Sequence, residues 1–145
     1  MKDYVYLAGP MEDAQYEDMV GWRKYATASL LTHDINCLDP TRRVSYHEEL
    51  QGVLGAERRV MNVSRRIFKQ DMKDIASSRV ILADIRRSSG RGTGTSMELM
   101  FGHTEHKIMI MWGSKEDFPH PFIQSMATEI HYDLDEAIEA VKGYY

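Results

Sequence analysis

The 145-residue sequence predicts an α/β domain on a mostly parallel sheet. Short apolar runs end at Gly, Pro or Asp, and stretches with apolar residues three and four apart lie between them. The two kinds of segment alternate along the whole chain, which is the pattern of strands joined by helical crossovers. Tyr4-Val5-Tyr6-Leu7-Ala8 reads as the first strand, stopped by Gly9-Pro10. A helix follows over residues 13–32, where Met19, Trp22, Ala26 and Leu30 recur at helical spacing. A short strand over 36–39 ends at Pro40, and 41–57 is a polar loop with room for one helical turn. The second long helix covers 58–77. Residues 80–85 are almost continuously apolar, as expected of a central strand covered on both faces. A loop over 86–94 leads to a helix over 95–105, with Thr95 or Ser96 available to cap it. Residues 107–112 form the next strand, and a loop containing Pro119-His120-Pro121 follows. A short strand near 128–131 precedes a last helix, capped by Asp133 and running to Val141. No repeat, low-complexity tract or linker interrupts the series, so residues 1–145 read as one domain.

Bulk properties narrow the function classes. No apolar run approaches the ~20 residues needed to span a bilayer, and no signal-peptide pattern opens the chain. Cys37 is alone, which rules out an internal disulfide and suits a reducing compartment. The expectation is a cytoplasmic protein. The net charge of −4 conceals an asymmetry: residues 41–91 carry twelve Lys/Arg against six Asp/Glu, leaving six against sixteen elsewhere. That basic segment is a solvated helix face, a surface that meets acidic residues of a second subunit, or a field that attracts a small anion such as a nucleotide phosphate. The acidic total and the absence of a nucleic-acid-binding module argue against a polymeric nucleic acid partner.

In parallel α/β sheets ligands bind beside the loops that leave the carboxyl ends of the strands. The rule selects Gly9-Pro10-Met11, the 86–94 loop and the turn after Trp112. The 86–94 loop is rich in hydroxyls and glycine: Ser88, Ser89, Gly90, Gly92, Thr93 and Gly94 surround Arg91. Its glycines let backbone approach a ligand, and the helix start behind it favours an anion. The spacing is that of neither a Walker loop nor a dinucleotide-binding fingerprint. A plain surface loop is the alternative.

Glu98 falls early in the helix behind this loop, over its mouth. A glutamate there also serves simply to complement the helix dipole. Asp71 supplies a second carboxylate. At ~100° per residue it falls near the middle of the face marked by Val60, Ile67, Phe68 and Ile75. A carboxylate facing a core is costly unless paired or functional. Two carboxylates on one crevice divide nucleophilic and acid/base work in retaining glycosidases; an Asp bonded to backbone or paired with Arg is the structural alternative. Asp84, at the end of the central strand, either points at a ligand or caps the next turn. His103 and His106 have no third ligand at metal spacing, so no metal is expected. Cys37 has no neighbour to activate it. Met11 and Met126 are candidates for the wall of a base pocket.

These residues resemble the nucleoside 2-deoxyribosyltransferases and the related enzymes that hydrolyse nucleoside monophosphates. The resemblance lies in Tyr6-Leu7-Ala8-Gly9-Pro10-Met11, in Asp71 within Gln70-Asp71-Met72-Lys73-Asp74-Ile75, and in Ser78-Arg79-Val80-Ile81-Leu82-Ala83-Asp84. It extends to Gly94-Thr95-Ser96-Met97-Glu98-Leu99 and to Asp133-Leu134-Asp135-Glu136-Ala137-Ile138. It implies a flavodoxin-like (Rossmann-like) three-layer sandwich of about five mostly parallel strands. It also implies a homodimer or larger homo-oligomer with shared active sites. Glu98 is then the nucleophile at C1′ of the sugar, Asp71 the acid that protonates and recognises the departing base, and Tyr6 the group that orients Glu98. Gln124-Ser125-Met126 reaches toward the 5′ position in a neighbouring subunit. No metal or organic cofactor is required.

One position departs from the transferase pattern. Six residues before the nucleophile the transferases usually carry an Asp that holds the free 5′-hydroxyl; here it is Gly92. The leading expectation is transfer of deoxyribosyl between bases. Hydrolysis of a (deoxy)nucleoside 5′-monophosphate is the second, and a non-catalytic nucleotide-binding module the third.

Overall fold

The computed structural model describes residues 4–11, 14–43, 57–86, 92–116 and 120–145. Among them five strands form one sheet: β1 (Tyr4–Ala8), β2 (Asn36–Leu38), β3 (Val80–Asp84), β4 (Ile108–Trp112) and β5 (Glu129–His131). All pairings are parallel and the order is β2-β1-β3-β4-β5. The helices are α1 (Tyr16–Leu31), α2 (Glu57–Ser77), α3 (Thr93–Thr104), α4 (Pro121–Ser125) and α5 (Leu134–Lys142), with a 3-10 turn at Pro40–Arg43. This is a flavodoxin-like α/β sandwich.

Strand alternation sorts the core into two layers. Val5, Leu7, Val80, Leu82, Ile110 and Trp112 pack against Trp22, Ala26 and Leu30 of α1 and Ala137, Ile138 and Val141 of α5. On the other face Tyr6, Ala8, Ile81, Ala83, Met109 and Met111 meet Ile75 of α2 and Leu99 of α3. All five residues of β3 are buried, and each such Val, Leu or Ile contributes about 1.5–3 kcal/mol. The chain leaves β1 for the α1 layer and leaves β3 for the α3 layer. Between these neighbouring strands the connections part, the topological point beside which such sheets bind ligands.

Several boundaries differ from the sequence-based expectation. α1 begins at Tyr16 rather than at residue 13. α3 begins at Thr93, so Thr93 and Gly94 are helical, and Gly92 stands at the N-cap without a side-chain capping bond. Neither Thr95 nor Ser96 caps it. The Ser96 hydroxyl instead donates back to the Gly92 carbonyl at 2.7 Å, the local bond that serine makes inside a helix. The short α4 was not expected; Pro121 opens it, and the His120 ring accepts from the Phe122 amide at 3.2 Å. Asp133 caps α5 as expected, its Oδ1 accepting from the Glu136 amide at 2.8 Å.

The apolar stripe read on α2 is buried only in part. Ile75 is fully buried, but Phe68 is 46% exposed. The 21 residues of α2 extend about 31 Å, whereas a five-residue strand spans about 17 Å. α2 runs from the carboxyl side of the sheet back toward the start of β3, and the buried residues described on it, Asp71, Asp74 and Ile75, lie in its second half.

Candidate active site

Val5 and Leu7 face the α1 layer, so pleating turns Tyr6 toward α2 and α3. There its hydroxyl donates to Glu98 Oε2. Glu98 lies in the second turn of α3, not the first, so the dipole argument for a glutamate at this position loses most of its force. Buried Thr95 and Leu99 set the rotation of the helix. Gly102, one turn on, lets α3 press onto the sheet: a Cβ there would stand 2.2 Å from Ile81 Cδ1.

Asp71 of α2 is buried, 9% exposed, on the helix face where its register in the sequence puts it. Its charge acts on both Tyr6 and Glu98, which places three ionisable groups from β1, α2 and α3 in one electrostatic neighbourhood. Burial dominates at Glu98 and pushes its carboxyl from 4.5 up to about 8. The Tyr6 hydrogen bond opposes that rise, the Asp71 charge adds to it, and the positive charge of Arg23 opposes it. Tyr6 is itself held well above 10, chiefly by burial and then by the charges of Glu98 and Asp71, so it stays a hydrogen-bond donor.

Beneath the turn that leaves β1 lies Arg23 of α1, with 0% exposure. Its guanidinium donates to the carbonyls of Leu7 at 3.3 Å, Met19 at 2.7 Å and Gly9 at 2.9 Å. Its Nε also lies 3.8 Å from Asp39 Oδ1. Gly9 is hemmed in by this arrangement: a Cβ there would lie 3.1 Å from both Asp84 Cβ and Trp22 Cζ2, and 3.2 Å from an Arg23 nitrogen. Arg23 is not among the site residues expected from the sequence. The signal was present, because residue 23 sits on the helical stripe of Met19, Ala26 and Leu30. A charge on such a stripe is buried with partners or not at all.

A search of solved structures finds the same architecture in a 2-deoxyribosyltransferase from the psychrotolerant bacterium Bacillus psychrosaccharolyticus. The TM-score is 0.69 at 16% identity, over 93% of this chain and 90% of the other. A conserved protein from Enterococcus faecalis V583 aligns over the full length of both chains with a TM-score of 0.71 and 10% identity. The CMP N-glycosidase BcmB of Clostridium botulinum aligns with a TM-score of 0.54 and 11% identity, over 96% and 98% of the two chains. The chain has a deoxyribosyltransferase-like fold. No protein-family model and no curated protein matches it, so the likeness is one of three-dimensional structure.

Within that fold the remaining expected site residues are distributed unevenly. Gly9 and Pro10 are buried and Met11 is half-buried, at the carboxyl end of β1. Gly92, Thr93 and Gly94 are exposed where α3 starts. Ser88 and Ser89 lie outside the described residues. Met126 packs onto the core layer of Tyr6 and Leu99, while the Ser125 hydroxyl donates to the Pro121 carbonyl at 2.8 Å and Gln124 is half-buried in α4. Asp84 caps the turn after β3: its Oδ1 accepts from the Arg86 amide at 3.0 Å, and its carboxylate holds the Arg86 guanidinium at 3.0 and 2.9 Å. That guanidinium stacks over Trp112 at 4.3 Å. His103 and His106 are exposed, and no three His, Cys, Asp or Glu side chains among the described residues group to hold a metal. Burial pushes the Cys37 thiol up to about 12, which keeps it protonated and unreactive. No described helix is long and apolar enough to cross a membrane.

Proposed function

We propose that this protein cleaves the N-glycosidic bond of a 2′-deoxynucleoside and passes the deoxyribosyl group to a second base through a covalent Glu98 intermediate. The observation that carries the proposal is the Tyr6–Glu98 hydrogen bond with the Asp71 charge alongside, near the switch point between β1 and β3. Two carboxyl groups at one site do not both ionise readily, and burial together with the Asp71 charge holds the Glu98 carboxyl up at about 8. Attack needs Glu98 as the anion, which the Tyr6 hydroxyl favours by donating to its carboxylate, and departure of the base needs a proton on Asp71.

In the first step a Glu98 oxygen bonds to C1′ through an oxocarbenium-like transition state. The C1′–N bond breaks, its electron pair leaves with the base, and Asp71 delivers a proton to that base. In the second step a nitrogen of the incoming base attacks C1′, its proton passes to Asp71, and the Glu98 carboxylate is released. The binding surface we assign comprises Gly9, Pro10, Met11, Ser88, Ser89, Gly92, Thr93 and Gly94. Gln124, Ser125 and Met126 of a neighbouring subunit complete it in a homodimer or larger homo-oligomer. Met97 and Met100, 59% and 54% exposed on the helix that carries Glu98, support such an assembly.

A second reading is hydrolysis of a nucleoside 5′-monophosphate to base and sugar 5-phosphate, with water in place of the incoming base. The start of α3 favours it: Gly92 makes no side-chain capping bond, and the first turn carries no acidic residue that would repel a phosphate. Incubation with deoxynucleosides and their 5′-monophosphates, with and without a second base, separates the readings. Exchanged nucleosides are expected. Base release from the monophosphate alone selects hydrolysis, and ligand binding with no base release from any substrate rejects both.

A further inference from the structure

We propose that Arg42 and Asp74 are positioning residues for Asp71: their ion pair latches the site-bearing turn of α2 to the chain leaving β2 and so holds the acid at the departing base. The assignment rests on the proposed function, in which Asp71 protonates that base.

The latch has two sides. On one, the 3-10 turn after β2 presents Arg42 in a fixed direction. Asp39 Oδ1 accepts from the Thr41 amide at 2.8 Å and hydroxyl at 2.6 Å, and the Asp39 carbonyl accepts from the Arg42 amide at 3.1 Å. The same carbonyl accepts from Arg42 Nη1 at 2.7 Å, which aims the guanidinium. Its Nη2 then reaches Asp74 Oδ2 at 2.5 Å. On the other side Asp74 is 5% exposed, and Gln70 Nε2 donates to its Oδ1 at 2.9 Å across one turn of α2. A buried carboxylate is stable in a fold only with partners of this kind.

Asp71 lies inside this arrangement. It follows Gln70 directly and precedes Asp74 by three positions, so the two aspartates are neighbours on the helix surface with Cβ atoms about 5–6 Å apart. The other buried contact described on this part of α2 is Ile75, in the core layer of Tyr6 and Leu99. Apolar burial has no preferred direction, so it leaves a helix some freedom to roll or slide. An ion pair made through hydrogen bonds has direction. Anchored at β2, it sets both the rotation of α2 and its height against the strand ends. A shift of about 1 Å at a reacting group costs about 10²-fold in rate, and a directional contact one turn from Asp71 supplies that precision. The Arg42 side chain is 41% exposed, so water screens the pair and limits its contribution to stability.

The test compares kcat/KM of the intact protein and its variants on two substrates. One is the natural deoxynucleoside that the parent cleaves fastest, whose base needs the Asp71 proton. The other is 7-methyl-2′-deoxyguanosine, whose base already carries a positive charge and departs neutral with the bonding electron pair. Arg42→Met is expected to lose about 10-fold on the natural substrate and less than about 2-fold on the methylated one. Arg42→Lys, which keeps a charge for Asp74, is expected to lose less than Arg42→Met. In an Asp71→Asn background Arg42→Met is expected to cost nothing further, because residues that act through one another do not add. Equal losses on the two substrates, or a further loss in the Asp71→Asn background, overturn the proposal, since a latch that served folding alone would lower every rate. Should Arg42→Met fail to fold, Arg42→Lys is read in the same two comparisons. Base release from no substrate by the parent rejects the proposed function and this assignment together, whereas base release by the parent with equal losses rejects the assignment alone.

Discussion

Replacing Glu98 by Gln should strengthen the fold while abolishing the chemistry, and the gain should depend on pH. Burial lifts the Glu98 carboxyl from 4.5 to about 8. Between those values the unfolded chain has released the proton and the folded chain still holds it, so folding takes up a proton and stability falls as pH rises. The contribution is fully present below about 4.5 and is lost as pH climbs through about 8. At 1.36 kcal/mol per pH unit the whole interval amounts to about 5 kcal/mol, a ceiling that water at the partly exposed carboxyl lowers to about 2–3 kcal/mol. Gln keeps the shape and accepts the Tyr6 hydrogen bond without titrating. Urea unfolding of both proteins at pH 5 and pH 9 measures the difference. The variant should be nearly as stable as the parent at pH 5 and about 2 kcal/mol more stable at pH 9. Equal differences at the two pH values would refute the claim that burial and a second carboxylate raise Glu98 in the folded protein.

Further outcomes follow from the same geometry. Tyr6→Phe removes a hydrogen bond to a charged group, worth about 1.5–3 kcal/mol; base-exchange kcat/KM should fall about 10- to 100-fold. Its ascending pH limb should move upward, because the lost bond favours the Glu98 anion. Asp71→Asn should move that limb downward, since the Asp71 charge raises Glu98. It should also slow turnover of natural bases by about 10²- to 10⁴-fold, with a much smaller loss on a substrate whose leaving group needs no proton. Gly102→Ala introduces a Cβ 2.2 Å from the buried Ile81 Cδ1. Overpacking of about 1–3 kcal/mol should outweigh the ~1 kcal/mol helix-propensity gain, read as a lower Tm. Glu98 lies one turn before it on the same helix face, so activity should fall as well.

Local patterns made much of the fold legible. The uninterrupted apolar run at 80–85 marks a strand buried on both faces, and β3 is that strand. The Asp133 cap is a side-chain preference that acts within four residues, so the start of α5 was visible. Asp71 could be placed by helical geometry alone, and Glu98 by the loop ahead of it. The strand order required the family resemblance, because hydropathy does not say which strands pair. Where α3 starts was hidden, because Gly92 caps it with no side chain at all. Phe68 shares the helical stripe of Ile75 but is 46% exposed, because periodicity marks a face of α2 and not how far along it the fold packs. Arg23 was missed for a related reason. Its partners are carbonyls of residues 7, 9 and 19, and only the tertiary fold brings all three to one guanidinium.

A sugar–enzyme ester at Glu98 is the intermediate of the proposed reaction, and a slowly resolving 2-fluoro-2-deoxy nucleoside in mass spectrometry tests for it most directly. The predicted result is stoichiometric base release with the mass of the fluorosugar on the peptide containing Glu98, and neither event in Glu98→Gln. Base release that leaves this peptide unmodified, together with undiminished turnover in Glu98→Gln, would contradict it.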